Sequence, residues 1–334
     1  MKVITPSAKK VPAEMQVKTR TFNNIEIDQD RGILKKTSDD TEKFVGEIKW
    51  YLKLPQELEY VRPRIFDYSL HYTQPYVRME YYSYSALHEL FLYSELSAGK
   101  WEKIFKTIKF VLADFSRYKL SGEYLPALLS MYLEKTLSRL NCLRAQSEFK
   151  SLFELPICIN EQIYLSLDKV IKILEELIPK LLFSVKEFSI IHGDLCFPNI
   201  MIDPNFNFIK LIDPRGKFGN YDIYGDRRYE FAKLLHSLEG KYDYIIKDMF
   251  DFEFHGKNNF QFKILETKRA FDLNEIFFRV FNEDLKDNLR EIRFIEALLF
   301  FSMIPLHKEN LKRQYAMLCT AIKILNELVN IGAK

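Results

Sequence analysis

Asp194, Asn199 and Asp213 are the residues of this chain whose types and spacing fit a phosphoryl transfer. They stand in His192-Gly193-Asp194-Leu195-Cys196-Phe197-Pro198-Asn199 and, further on, in Leu211-Ile212-Asp213. A carboxylate such as Asp194 can orient an attacking hydroxyl and accept its proton. The amide oxygen of Asn199 and the carboxylate of Asp213 can hold magnesium against a nucleotide's phosphates. Three fixed residues of this kind arise by accident in about one chain in twenty-five of this length, so their setting has to decide. The apolar run 188–191 reads as a strand entering the first Asp, 200–202 follows Asn199 at once, and 208–212 leads to the second Asp. Short strands with candidate ligands at their ends suit a catalytic loop.

This motif resembles the catalytic loop of the kinase-like small-molecule phosphotransferases, the group that includes the aminoglycoside and choline kinases. Their loop reads His-Gly-Asp, four residues, Asn, and their metal-binding Asp follows in an Ile-Asp segment. Ile212-Asp213-Pro214-Arg215-Gly216 is most similar to phosphotransferases encoded with bacterial surface (capsular) polysaccharide genes. The specific motifs cover residues 191–216, with weaker echoes over 32–82 and 229–243.

The resemblance implies an α+β, bilobal protein-kinase-like fold with a small N-terminal sheet lobe, one main helix in it, and a larger helical C-terminal lobe. It implies Mg2+ as cofactor, ATP or GTP as co-substrate, and a small-molecule hydroxyl acceptor. A sugar, polyol or amino-alcohol precursor of surface polysaccharide is the acceptor it suggests. Asp194 is then the catalytic base, Asn199 and Asp213 are the metal ligands, and His192 supports the loop through hydrogen bonds rather than acting as a base.

Such a site also needs a cation on the nucleotide phosphates. Gly32-Ile33-Leu34-Lys35-Lys36 reads as the strand that supplies it, and alternation puts Lys35 and Lys36 on opposite faces. Lys36, next to the strand-ending Thr37-Ser38, is favoured, with Lys35 as the alternative. Glu47 on the following helix is its natural ion-pair partner, with Glu42 as the alternative. Solvated lysines beside a solvated helix face are the plainer reading of the same residues. Glu80, Tyr81 and Tyr82 resemble a nucleotide-binding hinge, whereas 23–32 contains no Gly-rich run to cover the phosphates. Arg215 is a candidate for pairing with an acidic substrate group or with a carboxylate of its own lobe. His236, with Ser237, Tyr242 and Asp243, is expected on the acceptor side. Tyr229-Glu230-Phe231-Ala232 resembles a structural segment at the start of a C-lobe helix in choline kinases.

The elements that must position these residues follow from periodicity. Residues 1–18 read as an irregular lead-in. Residues 19–82 form the nucleotide-binding lobe, with strands at 22–27, 32–36, 65–72 and 76–82 and a helix at 41–52 that Pro55 stops. Residues 83–334 form the helical lobe, with helices at 86–96, 100–118, 125–145, 161–183, 226–238, 284–304 and 308–330 and the catalytic loop at 191–216.

Composition agrees with a folded enzyme. The 334 residues are 47% hydrophobic and carry a net charge of +3, with basic and acidic side chains interspersed, so nucleic-acid binding is not expected. Four cysteines without CxxC spacing read as reduced thiols. The start of the chain lacks the apolar stretch of a signal peptide, and no segment reaches membrane-spanning length. A cytoplasmic location follows as an expectation. Two other classes remain open: a nucleotide-binding scaffold that does not turn over, and a protein-modifying kinase or nucleotidylyl transferase on the same fold. The second is disfavoured because 213–230 contains no clear segment for docking a polypeptide.

Overall fold

The computed structural model describes residues 15–18 and 23–332. Five strands, β1 (Met15–Lys18), β2 (Asn23–Asp28), β3 (Ile33–Ser38), β4 (Ile65–Ser69) and β5 (Tyr76–Glu80), form an antiparallel sheet in the order β1-β2-β3-β5-β4. The lead-in therefore ends in a strand, because β1 pairs with β2 from Met15↔Ile27 to Lys18↔Asn24. Residues 1–14 of the lead-in lie outside the described residues.

The register of β3 separates the two lysines. Lys35 is flanked by Glu26 and Arg78, and Lys36 by Ile25 and Val77. Side chains alternate across a strand, so Lys36 enters the buried face and Lys35 the wet one. Helix α1 (Thr41–Lys53) follows and buries Phe44, Ile48 and Tyr51 at helical spacing, together with Glu47 and Trp50. Pro55 cannot continue it.

The rest of the chain is mainly helical. Helix α2 (Ala98–Phe115) buries one stripe, Trp101, Ile104, Phe105, Ile108, Val111, Leu112 and Phe115. Each such side chain contributes roughly 1.5–3 kcal/mol by leaving water. Residues 125–145 are three joined segments, Leu125–Leu128, a π-helical stretch Leu129–Glu134, and α3 (Lys135–Arg144). Helix α4 (Leu167–Leu182) is shorter than the expected 161–183, because Ile157–Ile159 and Gln162–Tyr164 form a hairpin. Its two turn residues, Asn160 and Glu161, have φ of 50° and 68°, the geometry of a type I′ turn. That hairpin joins Phe250–Phe254 and Asn259–Ile264 in a four-stranded sheet that helical periodicity did not reveal.

After the site strands come α5 (Arg227–Leu238), α6 (Leu273–Leu285), α7 (Leu289–Met303) and α8 (Leu311–Val329). The expected helix at 284–304 is the end of α6 and all of α7. One continuous apolar core runs from Trp50 and Tyr51 through α2, α5 and α7. Among the described residues no helix is long and apolar enough to cross a membrane.

Candidate active site

Strand β6 (Phe188–Ile190) leads into the candidate catalytic loop, and β7 (Ile200–Ile202) leaves it to pair with β8 (Ile209–Leu211). The β7–β8 turn is closed by Asp203, whose carboxylate accepts from the amides of Asn205, Asn207 and Phe208. Because Ile200 pairs with Leu211, the Ile212 amide donates to the Asn199 carbonyl at 3.1 Å, which brings Asn199 and Asp213 side by side. His192 is only 1% exposed. Its Nε2 lies 3.0 Å from the Ile212 carbonyl and its Nδ1 accepts the Asp194 amide, so the ring ties both motif segments together as the Nε2–H tautomer. Burial lowers its pKa to about 4, which keeps the ring neutral.

Lys36 reaches the same place from the sheet. Its Nζ donates to both Glu47 oxygens at 2.8 Å and to Asp213 Oδ1 at 2.6 Å. Burial pulls the amine down, but Glu47 and Asp213 outweigh it and hold Lys36 above the ordinary lysine value. Lys35 points the other way and pairs with Glu26 at 3.1 Å, while Glu42 pairs with Lys217 at 2.6 Å. Asp213 has φ of +56°, a conformation that costs a non-glycine residue energy, and its amide donates to the Tyr51 hydroxyl. Trp50 Nε1 donates to the Ile191 carbonyl at 2.7 Å. Helix α1 thus holds Lys36 through Glu47 and the two motif segments through Trp50 and Tyr51.

The oxygens suit magnesium. Asn199 Nδ2 donates to the Asp194 carbonyl at 2.8 Å, which orients its amide, and the Asp213 side chain is 48% exposed. Two hard protein oxygens and room for phosphate and water fit Mg2+ better than an all-protein cage does. No cluster of three His, Cys, Asp or Glu ligands occurs among the described residues.

Helix α5 reads the other side of the loop with one stripe of polar residues. Glu230 accepts from the His192 and Gly193 amides, both at 2.8 Å. Lys233 lies 2.7 Å from Asp194 Oδ1, and Ser237 Oγ accepts the Phe197 amide. Burial pushes the Glu230 carboxyl up to about 7 despite those two amides. Burial also lowers the Lys233 amine, yet Asp194 and Tyr229 outweigh it and hold it above its ordinary value. Lys233 is the residue of the candidate site that sequence reasoning missed. The available signal was the 230/233/237 spacing, which puts three polar side chains on one face of the helix.

His236 is a correction. It is 1% exposed and sits between Tyr242 and Phe300, ring centroids 4.5 and 4.1 Å away, so it belongs to the core and not to a substrate surface. Arg215 donates its amide to the His192 carbonyl, and its Nε is buried without a hydrogen-bond partner. In the expected hinge, the Glu80 and Tyr81 amides donate to the Arg64 and Gly32 carbonyls. The Tyr82 hydroxyl donates to the Glu80 carboxylate at 2.6 Å.

The architecture around this site recurs in solved structures. ADP-bound aminoglycoside phosphotransferase APH(2'')-Ib superposes with a TM-score of 0.56 at 13% identity, over 94% of this chain and 95% of that one. A thermostable mutant of aminoglycoside phosphotransferase APH(4)-Ia gives 0.59 at 9% identity, over 95% of each chain. Choline kinase LicA from Streptococcus pneumoniae gives 0.54 at 16% identity, over 95% of this chain and 94% of that one. The fold is kinase-like. At these identities the likeness establishes architecture, with β1–β5 and α1 in the smaller lobe of the kinase-like fold and α2–α8 in the larger. No protein-family model and no curated protein matches the sequence.

Proposed function

We propose that the chain is a magnesium-dependent kinase that moves the γ-phosphate of ATP or GTP to a hydroxyl of a small molecule. The observation that carries this reading is Lys36 Nζ held between Glu47 at 2.8 Å and Asp213 at 2.6 Å, on the loop system that contains Asp194 and Asn199. A buried lysine clamped to a helix carboxylate and facing a metal-type Asp is an arrangement for holding nucleotide phosphates.

In this reading Lys36 binds phosphate oxygens, fixed by Glu47, and the 80–82 segment receives the purine. Asn199 and Asp213 hold Mg2+, which supplies charge neutralisation on the phosphates when bound. Asp194 orients the acceptor hydroxyl. The acceptor oxygen bonds to γ-phosphorus as the β–γ bridge breaks, Asp194 takes the hydroxyl proton, and a phosphomonoester and a nucleoside diphosphate leave. The transition state is loose, so positioning supplies most of the acceleration. Lys233 keeps Asp194 ionised and aimed, and Glu230 fixes the backbone beneath it. The two lobes divide at the 80–82 hinge, and the enzyme works in the cytoplasm, where nucleotide is abundant and its free cysteines stay reduced. The resemblance of 212–216 supports an acceptor that is a building block of bacterial surface polysaccharide.

Thermal shift with ATP or GTP, with and without magnesium, tests this reading. The native chain should be stabilised by nucleotide plus magnesium, and Asp213→Ala should lose the magnesium-dependent part. Absence of any nucleotide effect on the native chain would contradict the kinase reading.

A further inference from the structure

Lys135 lies near both Arg215 and Lys233 on the α5 side of the loop. Lys233 is matched by Asp194. Lys135 on α3 meets the Tyr229 hydroxyl at 3.4 Å and the Tyr229 ring at 5.3 Å, not an acid. Its amine is lowered to about 8, by burial first and then by Arg215 and Lys233, with Tyr229 pulling the other way. Four residues on, Arg139 shares the Lys135 face of α3.

Arg139 and Arg215 line a cleft of about 700 Å³, bounded by the start of α1, the turn after Asp213 and the end of α7. Most of its carboxylates are answered within the chain. Glu42 pairs with Lys217 at 2.6 Å, and Glu309 lies 3.0 Å from His307 and 3.8 Å from Arg313. Asp40 remains, exposed at the start of α1, against Lys43, Arg139 and Arg215. Among the described residues neither arginine has a carboxylate within ion-pair range, and Arg215 Nε is buried without a partner. Arg215 links this cleft to the loop, because its stem packs on the residue before Asp194: a Cβ added to Gly193 would lie 2.9 Å from the Arg215 Cβ. A guanidinium presents paired N–H donors that match phosphate or carboxylate oxygens.

We propose that this cleft receives the acceptor, and that the acceptor carries an anionic group, phosphate or carboxylate, held by Arg215 and Arg139 while its hydroxyl faces Asp194. The inference rests on the kinase reading and narrows it. Neutral polyols would leave the arginines unanswered, and amino-alcohols or aminoglycosides would meet like charge.

Turnover with ATP and magnesium is compared across three sets. The anionic set is glycerol 3-phosphate, ribose 5-phosphate, gluconate and glucuronate. The neutral set is glycerol, ribose and glucose, and the cationic set is choline and glucosamine. At least one anionic compound should exceed its neutral counterpart in kcat/KM by about tenfold or more, the loss expected when a charged hydrogen bond is missing. Preference within the set separates phosphate from carboxylate. Arg139→Gln should raise that acceptor's KM about ten- to a hundredfold and leave the nucleotide KM unchanged, with Arg139→Lys intermediate. A nucleotide KM that rises instead would assign the cations to the nucleotide and overturn the proposal, as would preference for the neutral or cationic set. If nothing in the panel turns over while ATP and magnesium still stabilise the chain, thermal shift decides. Added stabilisation by the anionic set that Arg139→Gln abolishes supports the proposal, and no added stabilisation overturns it. Failure of ATP itself to bind would instead remove the kinase reading.

Discussion

Replacing Lys233 with Met keeps the length of the side chain and removes the charge that lies 2.7 Å from Asp194. At that spacing two unit charges attract by about 6 kcal/mol with an effective dielectric constant of ~20. The Asp194 side chain is 32% exposed, so water screens the pair. About a third to a half of the attraction survives, roughly 2–3 kcal/mol, which corresponds to ~1.5–2 pH units. The sign is fixed by chemistry: a neighbouring cation favours the ionised base, so its removal favours the protonated one. The acidic limb of kcat/KM should therefore move to higher pH by about that amount in Lys233→Met, with activity falling most at the acidic end. The assay is the pH profile of phosphate transfer, or of slow ATP hydrolysis with water as acceptor, beside Lys233→Arg. The arginine variant keeps the charge and should keep the limb near its native position. A Met variant that folds and shows the native limb would refute the argument that Lys233 tunes the base.

Three further outcomes follow from the same geometry. Lys36→Met should destabilise the fold by about 3–5 kcal/mol in urea titrations, because it strands the buried Glu47 carboxylate. Adding Glu47→Leu should restore most of that stability but not phosphate transfer. Gly216→Ala should lower the denaturation midpoint by the equivalent of about 3–5 kcal/mol, since strain at positive φ and overlap each cost a few kcal/mol. Gly216 has φ of +78°, and its added Cβ would fall 2.1 Å from the Gly46 carbonyl carbon. Asp243 is 2% exposed, and burial raises its carboxyl from 3.8 to about 7, with Oδ2 unbonded. The folded chain then holds a proton that the unfolded chain releases, so stability should fall as pH rises from 3.8 to about 7 and level off above that. The loss is roughly 4 kcal/mol at 1.36 kcal/mol per pH unit, and Asp243→Asn should flatten this part of the curve measured by denaturation across that range.

The grouping of Asp194, Asn199 and Asp213 was legible because it is local in sequence. Asp194 and Asn199 share one loop, and Asp213 follows one hairpin later. The choice of Lys36 over Lys35 needed the register of β3, since alternation separates two faces without saying which is buried. Glu47 was legible from helical spacing once α1 was placed. Lys233 was hidden for the opposite reason: it reaches Asp194 across 39 positions of chain, from a helix buried on all sides. His236 was misassigned on the same helix because sequence order near an acceptor region does not distinguish a core-facing ring from a cleft-facing one. The hairpin at 157–164 escaped because Asn160 and Glu161 adopt positive φ without the glycine that usually marks such a turn.

The most direct test is to follow 31P NMR signals during incubation of the chain with ATP, magnesium and the anionic acceptor set. ADP and a new phosphomonoester should appear in equal amounts. Asp194→Asn should lower the rate by about 10²- to 10⁴-fold while nucleotide binding persists. Phosphomonoester formed by Asp194→Asn at the native rate, or no transfer by the native chain to any hydroxyl compound while it still binds ATP, would contradict the assignment of this loop as a phosphotransfer site.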